Sequence, residues 1–374
     1  MIVENINNSS TRPRILVAPL DWGLGHATRC IPIIKILLQH NADVVLAGSG
    51  SVVILLQQEF PFLKFIDLPG YKIKYSTKKK YFGLKILMQM PKIFAAIKYE
   101  NNWLKKIIAS ENIDAVISDN RPGLSNKLIP CVYITHQLCI QTGNKILDNI
   151  LGKIHYSFIN KFNNCWVPDM PVYGLAGALS HPKIFPGIKT DYIGILSRFK
   201  KKEIAKKFDF LLLISGPEPQ RSMFEQILLN AFKSSAFSIA IVRGLPGNDS
   251  FLKLNTDNIV VYNHLPAADL SALIQQSHIV IARSGYTTIM DLVTLQQKAL
   301  LIPTPGQTEQ EYLSSYLMEN KMFYSMPQQG FTLNNVIDKM KSWEPAPHQT
   351  LPLFNEDVVI GWLQKLKVSL SRNK

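Results

Sequence analysis

An apolar run, Ile279-Val280-Ile281-Ala282, leads into Arg283-Ser284-Gly285-Tyr286-Thr287-Thr288, and Asp291 follows within one helical turn. This reads as a buried strand ending at Arg283, a small-residue turn, and a helix opened by Thr287 or Thr288. Free N–H groups and the positive end of a helix dipole at such a turn make an anion site, with phosphate the usual occupant. Gly285 lets the backbone come close to the anion, and the hydroxyls of Ser284, Thr287 and Thr288 can donate to it. Asp291 is placed to accept both hydroxyls of a ribose. The same pattern also suits a plain helix cap, with Ser284 and Thr287 serving only the backbone. The loop Pro303 to Tyr312 follows the next strand and emerges on the same carboxyl-end rim of a parallel sheet. Its Gln307, Gln310 and Glu311 supply the planar amide and carboxylate groups that match sugar hydroxyls.

A second constellation joins the first strand to the first helix, Asp21-Trp22-Gly23-Leu24-Gly25-His26-Ala27-Thr28-Arg29. Gly23 and Gly25 let this acceptor-side loop pass close to a ligand. His26 stands at a helix start, where the dipole favours the neutral imidazole that a general base requires. Asp119, at a strand end on the same rim, is placed to orient His26 or to bind an acceptor; a turn-capping role fits it equally. His136 is a weaker candidate there.

The elements that carry these residues alternate between short apolar strands and helices. Arg14 to Pro19, Asp43 to Ala47, Lys64 to Leu68, Ala115 to Ser118 and Cys131 to Thr135 read as strands of one unit. Helices are expected over Thr28 to Gln39 and Ser51 to Glu59. Phe210 to Ile214 starts the pattern again, with Ser238 to Val242, Ile259 to Tyr262, Ile279 to Ala282 and Ala299 to Ile302. Strands alternating with helices imply parallel sheets covered on both faces, here two facing Rossmann-like doubly wound domains of α/β class. At 374 residues the chain suits two domains of about 150 residues or more. The expected division is a disordered leader at 1–13, an acceptor-binding domain at 14–194 and a linker at 195–206. A nucleotide-sugar-binding domain at 207–355 and a C-terminal helix at 356–374 complete it.

The net charge is +14, and lysines recur from Lys72 to Lys106 against one acid, Glu100, interleaved with apolar and aromatic residues. This basic amphipathic stretch suits an anionic membrane surface; an ordinary solvated helix face gives the same pattern. No RNP, zinc-finger or helix-turn-helix signature accompanies the charge, so no nucleic-acid partner is expected. No apolar run approaches the ~18 residues of a membrane span, and Met1 to Arg14 lacks the apolar core of a secretory signal. Cys30, Cys131, Cys139 and Cys165 form no C-x-x-C pair, which points to reduced thiols in the cytosol and neither a disulfide framework nor a metal site.

Taken together, the Ala282 to Asp291 and Ile302 to Tyr312 segments, with Gly23 to His26, resemble the GT-B glycosyltransferases of family 28. This family includes the peptidoglycan lipid-intermediate N-acetylglucosaminyltransferase. The resemblance implies that Arg283, Ser284, Gly285 and Thr288 hold the diphosphate of a UDP-sugar, with Asp291 at the ribose. It further places Gln310 and Glu311 at the donor sugar, the segment bearing His264 and Leu265 against the uracil, and Ser215-Gly216 facing the phosphates. Two segments depart from the family pattern: Ser215-Gly216-Pro217-Glu218-Pro219 is stiffer, and Asp21-Trp22 replaces a glycine-rich run.

The reaction that follows is inverting displacement at the anomeric carbon of the donor, UDP-GlcNAc being the type, onto a hydroxyl of a lipid-linked or cell-envelope glycan. His26 takes the acceptor proton, and Arg283 with the helix N-terminus carries the leaving group, so neither metal nor cofactor is expected. The enzyme would be cytoplasmic, peripheral on the inner membrane face. Gly23-Leu24-Gly25-His26 followed by Arg29-Cys30 also resembles a nucleotide-sugar hydrolase of the pseudaminic acid pathway, which would pass the sugar to water.

Overall fold

A computed structural model describes residues 12–71, 82–247, 252, 257–342 and 353–372. Residues 1–11 of the expected leader and 72–81 of the lysine-rich stretch lie outside the described residues.

The first sheet contains β1 (Arg14–Pro19), β2 (Asp43–Gly48), β3 (Lys64–Asp67), β4 (Ala115–Asp119), β5 (Cys131–Ile134), β6 (Asn164–Val167) and β7 (Lys189–Tyr192). Its helices are α1 (Leu24–Gln39), α2 (Gly50–Glu59), α3 (Phe82–Glu111) and α4 (Lys145–Ile159). Strand order is β3-β2-β1-β4-β5-β6-β7, and every neighbouring pair is parallel.

The second sheet contains β8 (Phe208–Leu213), β9 (Ile239–Val242), β10 (Ile259–Tyr262), β11 (Ser277–Ala282), β12 (Ala299–Leu301) and β13 (Tyr324–Ser325). Around it lie α5 (Gln220–Phe232), α6 (Ala267–Gln275), α7 (Tyr286–Thr294), α8 (Thr308–Glu319), α9 (Leu333–Ser342) and α10 (Glu356–Arg372). Its order, β10-β9-β8-β11-β12-β13, repeats the first sheet's pattern in parallel pairs.

In both sheets the chain starts in the middle, steps outward twice, then returns past its first strand and continues the other way. That reversal opens a crevice at the carboxyl ends of β1 and β4, and another at those of β8 and β11. Register fixes the first: Pro19 lies beside Asp119, so the loop after β1 and the end of β4 share one rim. Buried on both faces, β1 and β4 have no polar alternation, which is the mark of a covered parallel strand.

One apolar core runs from β1, α1 and α2 into β8, β11, α7 and α10, so the facing sides of the two lobes share it. Separate clusters cover the outer faces of the two sheets. The last helix returns to the first lobe, where Trp362 meets the buried Trp166 edge-on, ring centroids 5.5 Å apart.

Several boundaries differ from the sequence reading. The first helix begins at Leu24, not Thr28, because Gly23 with φ 104° ends the loop and Gly25 fits within the first turn. The helix after β11 opens at Tyr286 with Gly285 as its N-cap, ahead of the expected Thr287 or Thr288.

Candidate active site

His26 is the third residue of α1, so its side chain rises from the first helical turn above the β1–β4 crevice. Arg29 and Cys30 follow at the i+3 and i+4 positions and therefore point to the same side. All three converge on Asp119, which is wholly buried. Arg29 Nε donates to Asp119 Oδ2 at 2.7 Å and its Nη2 to Oδ1, forming a bidentate pair. Cys30 Sγ donates to Oδ2 at 3.7 Å. His26 Nδ1 lies 3.2 Å from Asp119 Oδ2 and 2.8 Å from Arg29 Nη2. With Arg29 Nη2 donating to Asp119 Oδ1, the tautomer that gives its Nδ1 proton to Asp119 Oδ2 leaves the Nε2 lone pair for a substrate proton; in the other tautomer Nδ1 accepts from Arg29 Nη2.

The electrostatics keep this imidazole neutral. Burial pushes the His26 pKa down, Arg29 pushes it further, and the opposing pull of Asp119 does not reverse the shift. For Asp119 the contest goes the other way. Burial would raise its pKa, but the Arg29 charge, His26 and their hydrogen bonds hold it well below the usual carboxylate range. Burial likewise works against the Arg29 cation, and Asp119 outweighs it.

The network crosses between the lobes. Arg29 Nη1 is 3.2 Å from His136 Nδ1. A guanidinium can only donate, so Nδ1 accepts and the His136 proton sits on Nε2. That Nε2 donates to Glu309 Oε1 of α8 at 2.8 Å. His136 also stacks on Tyr286 of α7, centroids 4.2 Å apart and planes at 7°, while Tyr286 Oη donates to Pro168 O at 2.8 Å. Burial pushes the Glu309 pKa up, but His136 and then Arg29 outweigh it and the carboxyl lies below its ordinary value. Arg29 and Glu309 were not singled out in the sequence. The signal for Arg29 was its i+3 spacing from His26, visible only once the helix is started at Leu24. Glu309 was overlooked in favour of its neighbours Gln310 and Glu311.

The two glycine-bearing starts also meet. Thr287 Oγ1 donates to Gly25 O at 3.1 Å, and a Cβ on Gly25 would stand 3.0 Å from that oxygen. The N-termini of α1 and α7 thus face one another across the lobes. Further along, Tyr312 Oη accepts from Ala178 N at 2.7 Å, and Tyr316 Oη donates to Gly174 O at 3.0 Å.

On the second lobe the expected residues divide. Ser215 and Gly216, the latter at φ 111°, follow β8, and Thr288 lies half-buried in the first turn of α7. His264 and Leu265 are half-buried after β10, and burial with Arg198 nearby lowers the His264 pKa. Asp291 accepts from Ser197 Oγ at 2.5 Å, and burial pushes its pKa up to about 6. Gln307 caps α8 by its backbone, without a side-chain cap bond.

The structure corrects the phosphate role given to Arg283. Its guanidinium is buried against the Phe224 ring, 3.9 Å from the centroid. Its nitrogens donate to Ile302 O at 3.3 Å, Pro303 O at 3.2 Å, Gln220 O at 3.3 Å and Gln328 Oε1 at 2.6 Å. Its two terminal nitrogens, engaged by four oxygens inside the lobe, knit β11 to β12 and α5, while the buried Nε makes no hydrogen bond among the described residues. Three neighbours are also committed inward. Ser284 Oγ donates to Gln310 O at 2.9 Å, Gln310 Oε1 accepts from Thr304 N at 2.9 Å, and Glu311 Oε1 accepts from Gly306 N at 3.0 Å. These side chains shape the 303–312 loop, while Glu309 reaches His136 of the other lobe.

Residues 218–352 match the family model of the glycosyltransferase family 28 C-terminal domain. A protein of Methanosarcina mazei described as an uncharacterized glycosyltransferase is 23% identical over 339 residues, covering 84% of this chain and 86% of its own length. The chain is a glycosyltransferase of GT-B fold whose second lobe is similar to the family 28 C-terminal domain. Among solved structures, this glycosyltransferase superposes on SsfS6 of Streptomyces sp. SF2575, a glycosyltransferase complexed with thymidine diphosphate. That match has a TM-score of 0.61 at 13% identity, covering 94% of this chain and 100% of the other. It is also similar to MurG of Acinetobacter baumannii, with a TM-score of 0.55 at 15% identity over 95% and 99% of the two chains. These structural likenesses establish the shared two-lobed fold.

Proposed function

We propose that this enzyme transfers a sugar from a nucleotide-sugar donor, of UDP-sugar type, to a hydroxyl of a lipid-linked or cell-envelope glycan, with inversion at the anomeric carbon. The observation that carries this reading is a neutral His26 held by Asp119 and Arg29 at the rim where the two lobes meet. His26 Nε2 takes the acceptor proton as the acceptor oxygen attacks the anomeric carbon and the bond to the diphosphate breaks. The diphosphate leaves toward the N-terminus of α7, whose free N–H groups and dipole favour the growing negative charge without a call on a metal or cofactor. Arg283, spent on carbonyls, takes no part. Asp291 accepts from the ribose, His264 and Leu265 flank the base, and Glu309 stands where the donor sugar would lie between α8 and His136. A thymidine diphosphate complex of a structurally similar enzyme supports a nucleoside diphosphate in the cleft. Scanning nucleotide sugars and free nucleotides for thermal stabilisation tests the donor. The true donor at 100 times its Kd adds about 2.7 kcal/mol, and no shift with any of them would remove the donor reading.

For location, we propose the cytoplasmic face of a membrane, held by the first lobe. No helix among the described residues is long and apolar enough to cross a membrane. Phe94, Tyr99, Ile146 and Ile150 of α3 and α4 are exposed, among Lys98, Lys105, Lys106, Lys145 and Lys153. Phe94 of α3 touches Phe158 of α4, so the two helices contribute to one surface. Apolar side chains among lysines fit an anionic bilayer, each lysine near the headgroups contributing about 1 kcal/mol. Co-sedimentation with phosphatidylglycerol vesicles should fall steeply with salt; equal binding to neutral phosphatidylcholine vesicles would contradict an electrostatic anchor.

A further inference from the structure

Between the two lobes the chain passes through Ser197 and Arg198, and Ser197 makes a contact that the reaction as described does not use. Ser197 Oγ lies 2.5 Å from Asp291 Oδ1, and the same oxygen accepts from Phe199 N at 3.1 Å. With a lone pair of Oγ taken by that N–H, the hydroxyl proton is directed at the carboxylate. The next residue is pinned as well: Arg198 Nη1 pairs with Glu59 Oε1 of α2 at 3.1 Å, its guanidinium lies 5.1 Å from the Phe199 ring centroid, and Phe199 is buried. The connecting segment is therefore fixed to the second lobe through Ser197 and to the first through Arg198.

We propose that Ser197 is a positioning residue for the donor nucleotide, orienting and keeping ionised the Asp291 carboxylate that accepts from the ribose. This rests on the reading of Asp291 as the ribose acceptor. Asp291 Oδ1 is occupied by Ser197, which leaves Oδ2 for the ribose, so nucleotide affinity depends on a residue outside the nucleotide-binding lobe. The charged and titratable groups around Asp291 are few. The connecting segment brings Arg198, whose charge favours the carboxylate, and α2 brings Glu59, which pairs with Arg198. His264, after β10, feels both Arg198 and Glu59. The helix α1, packed on α7, carries His26 and Arg29, both engaged with Asp119, and an exposed Lys35.

Burial pushes the Asp291 pKa up to about 6, and the Ser197 hydrogen bond is the first force opposing that rise. The carboxylate is an acceptor when ionised, so nucleotide affinity should be level above that pKa and fall as pH drops through it. Removing the Ser197 hydroxyl removes support for the charged form, which moves the midpoint to higher pH.

The test is titration calorimetry with UDP between about pH 5 and 8, or with thymidine diphosphate if the wild type binds it more tightly. Ser197→Ala should bind about tenfold more weakly at pH 7, the loss expected for one hydrogen bond to a charged group, with its midpoint shifted upward. Ser197→Thr, which keeps the hydroxyl, should restore both. Wild-type affinity and midpoint in Ser197→Ala, alongside lost binding in Asp291→Asn, would overturn the role of Ser197 and leave the ribose reading intact. Wild-type binding by Asp291→Asn would remove the ribose reading, and this inference with it. A loss in Ser197→Ala without a midpoint shift, and without rescue by threonine, would make Ser197 merely structural and also overturn the proposal.

Discussion

Arg29 decides the charge state of the cleft. It is buried, it neutralises Asp119, and its terminal nitrogens lie 2.8 Å from His26 Nδ1 and 3.2 Å from His136 Nδ1. A cation at 2.8 Å opposes protonation of His26, so the imidazole stays neutral to a pH below the ordinary histidine value. The acid limb of kcat/KM should therefore fall below pH 6.5, the neutral form being the active one. Arg29→Gln removes that cation and frees Asp119 to attract the proton, so both effects raise the His26 pKa. The pH–rate profile should then move its acid limb to higher pH with a lower plateau; a limb that stays in place would mean that another group titrates. Little of this was legible residue by residue. His26 and Asp119 stood out because each ends or begins an element next to glycines or polar turns. Arg29 entered only through the hydrolase resemblance and was given no role of its own, and Arg283, conspicuous beside a turn, is buried.

At the scale of elements, the site depends on two helix starts being close together. Gly25 belongs to the first turn of α1, and its missing side chain is what admits Thr287 of α7. A Cβ there would stand 3.0 Å from Thr287 Oγ1 and 3.4 Å from its Cβ. Gly25→Ala should weaken the interlobe contact by about 1 kcal/mol or more through overpacking. Removing the hydroxyl with Thr287→Ala should relieve that crowding, giving a favourable coupling energy in a double-mutant cycle. Strict additivity in melting experiments would show that the two helix starts do not press on one another in solution. Helix α1 was read four residues short of its true start because two glycines look like loop when no contact is known. The polar edge strand β7, Lys-Thr-Asp-Tyr, and the two-residue β13 were missed for a related reason. Short strands with exposed positions carry no continuous apolar run, so only pairing with a neighbour reveals them.

For the molecule as a whole, the repeat of strand–helix alternation in two parallel sheets was legible because covered parallel strands are apolar throughout. What sequence patterning did not carry was the joining of the lobes. A single core continuous through both, α10 returning to β6 and the His136–Glu309 hydrogen bond all link residues far apart in the chain. Such contacts leave no local periodicity. In the proposed mechanism they set the chemistry, since His26 lies on one lobe and Asp291 and Glu309 on the other. The most direct test of this account is the stereochemistry and His26 dependence of the product, followed by proton NMR of donor and acceptor with wild type and His26→Ala. The account predicts a glycoside with inverted anomeric configuration, formed about 10²–10⁴-fold more slowly by the variant while donor affinity is unchanged. A product of retained configuration, or full turnover without His26, would contradict it.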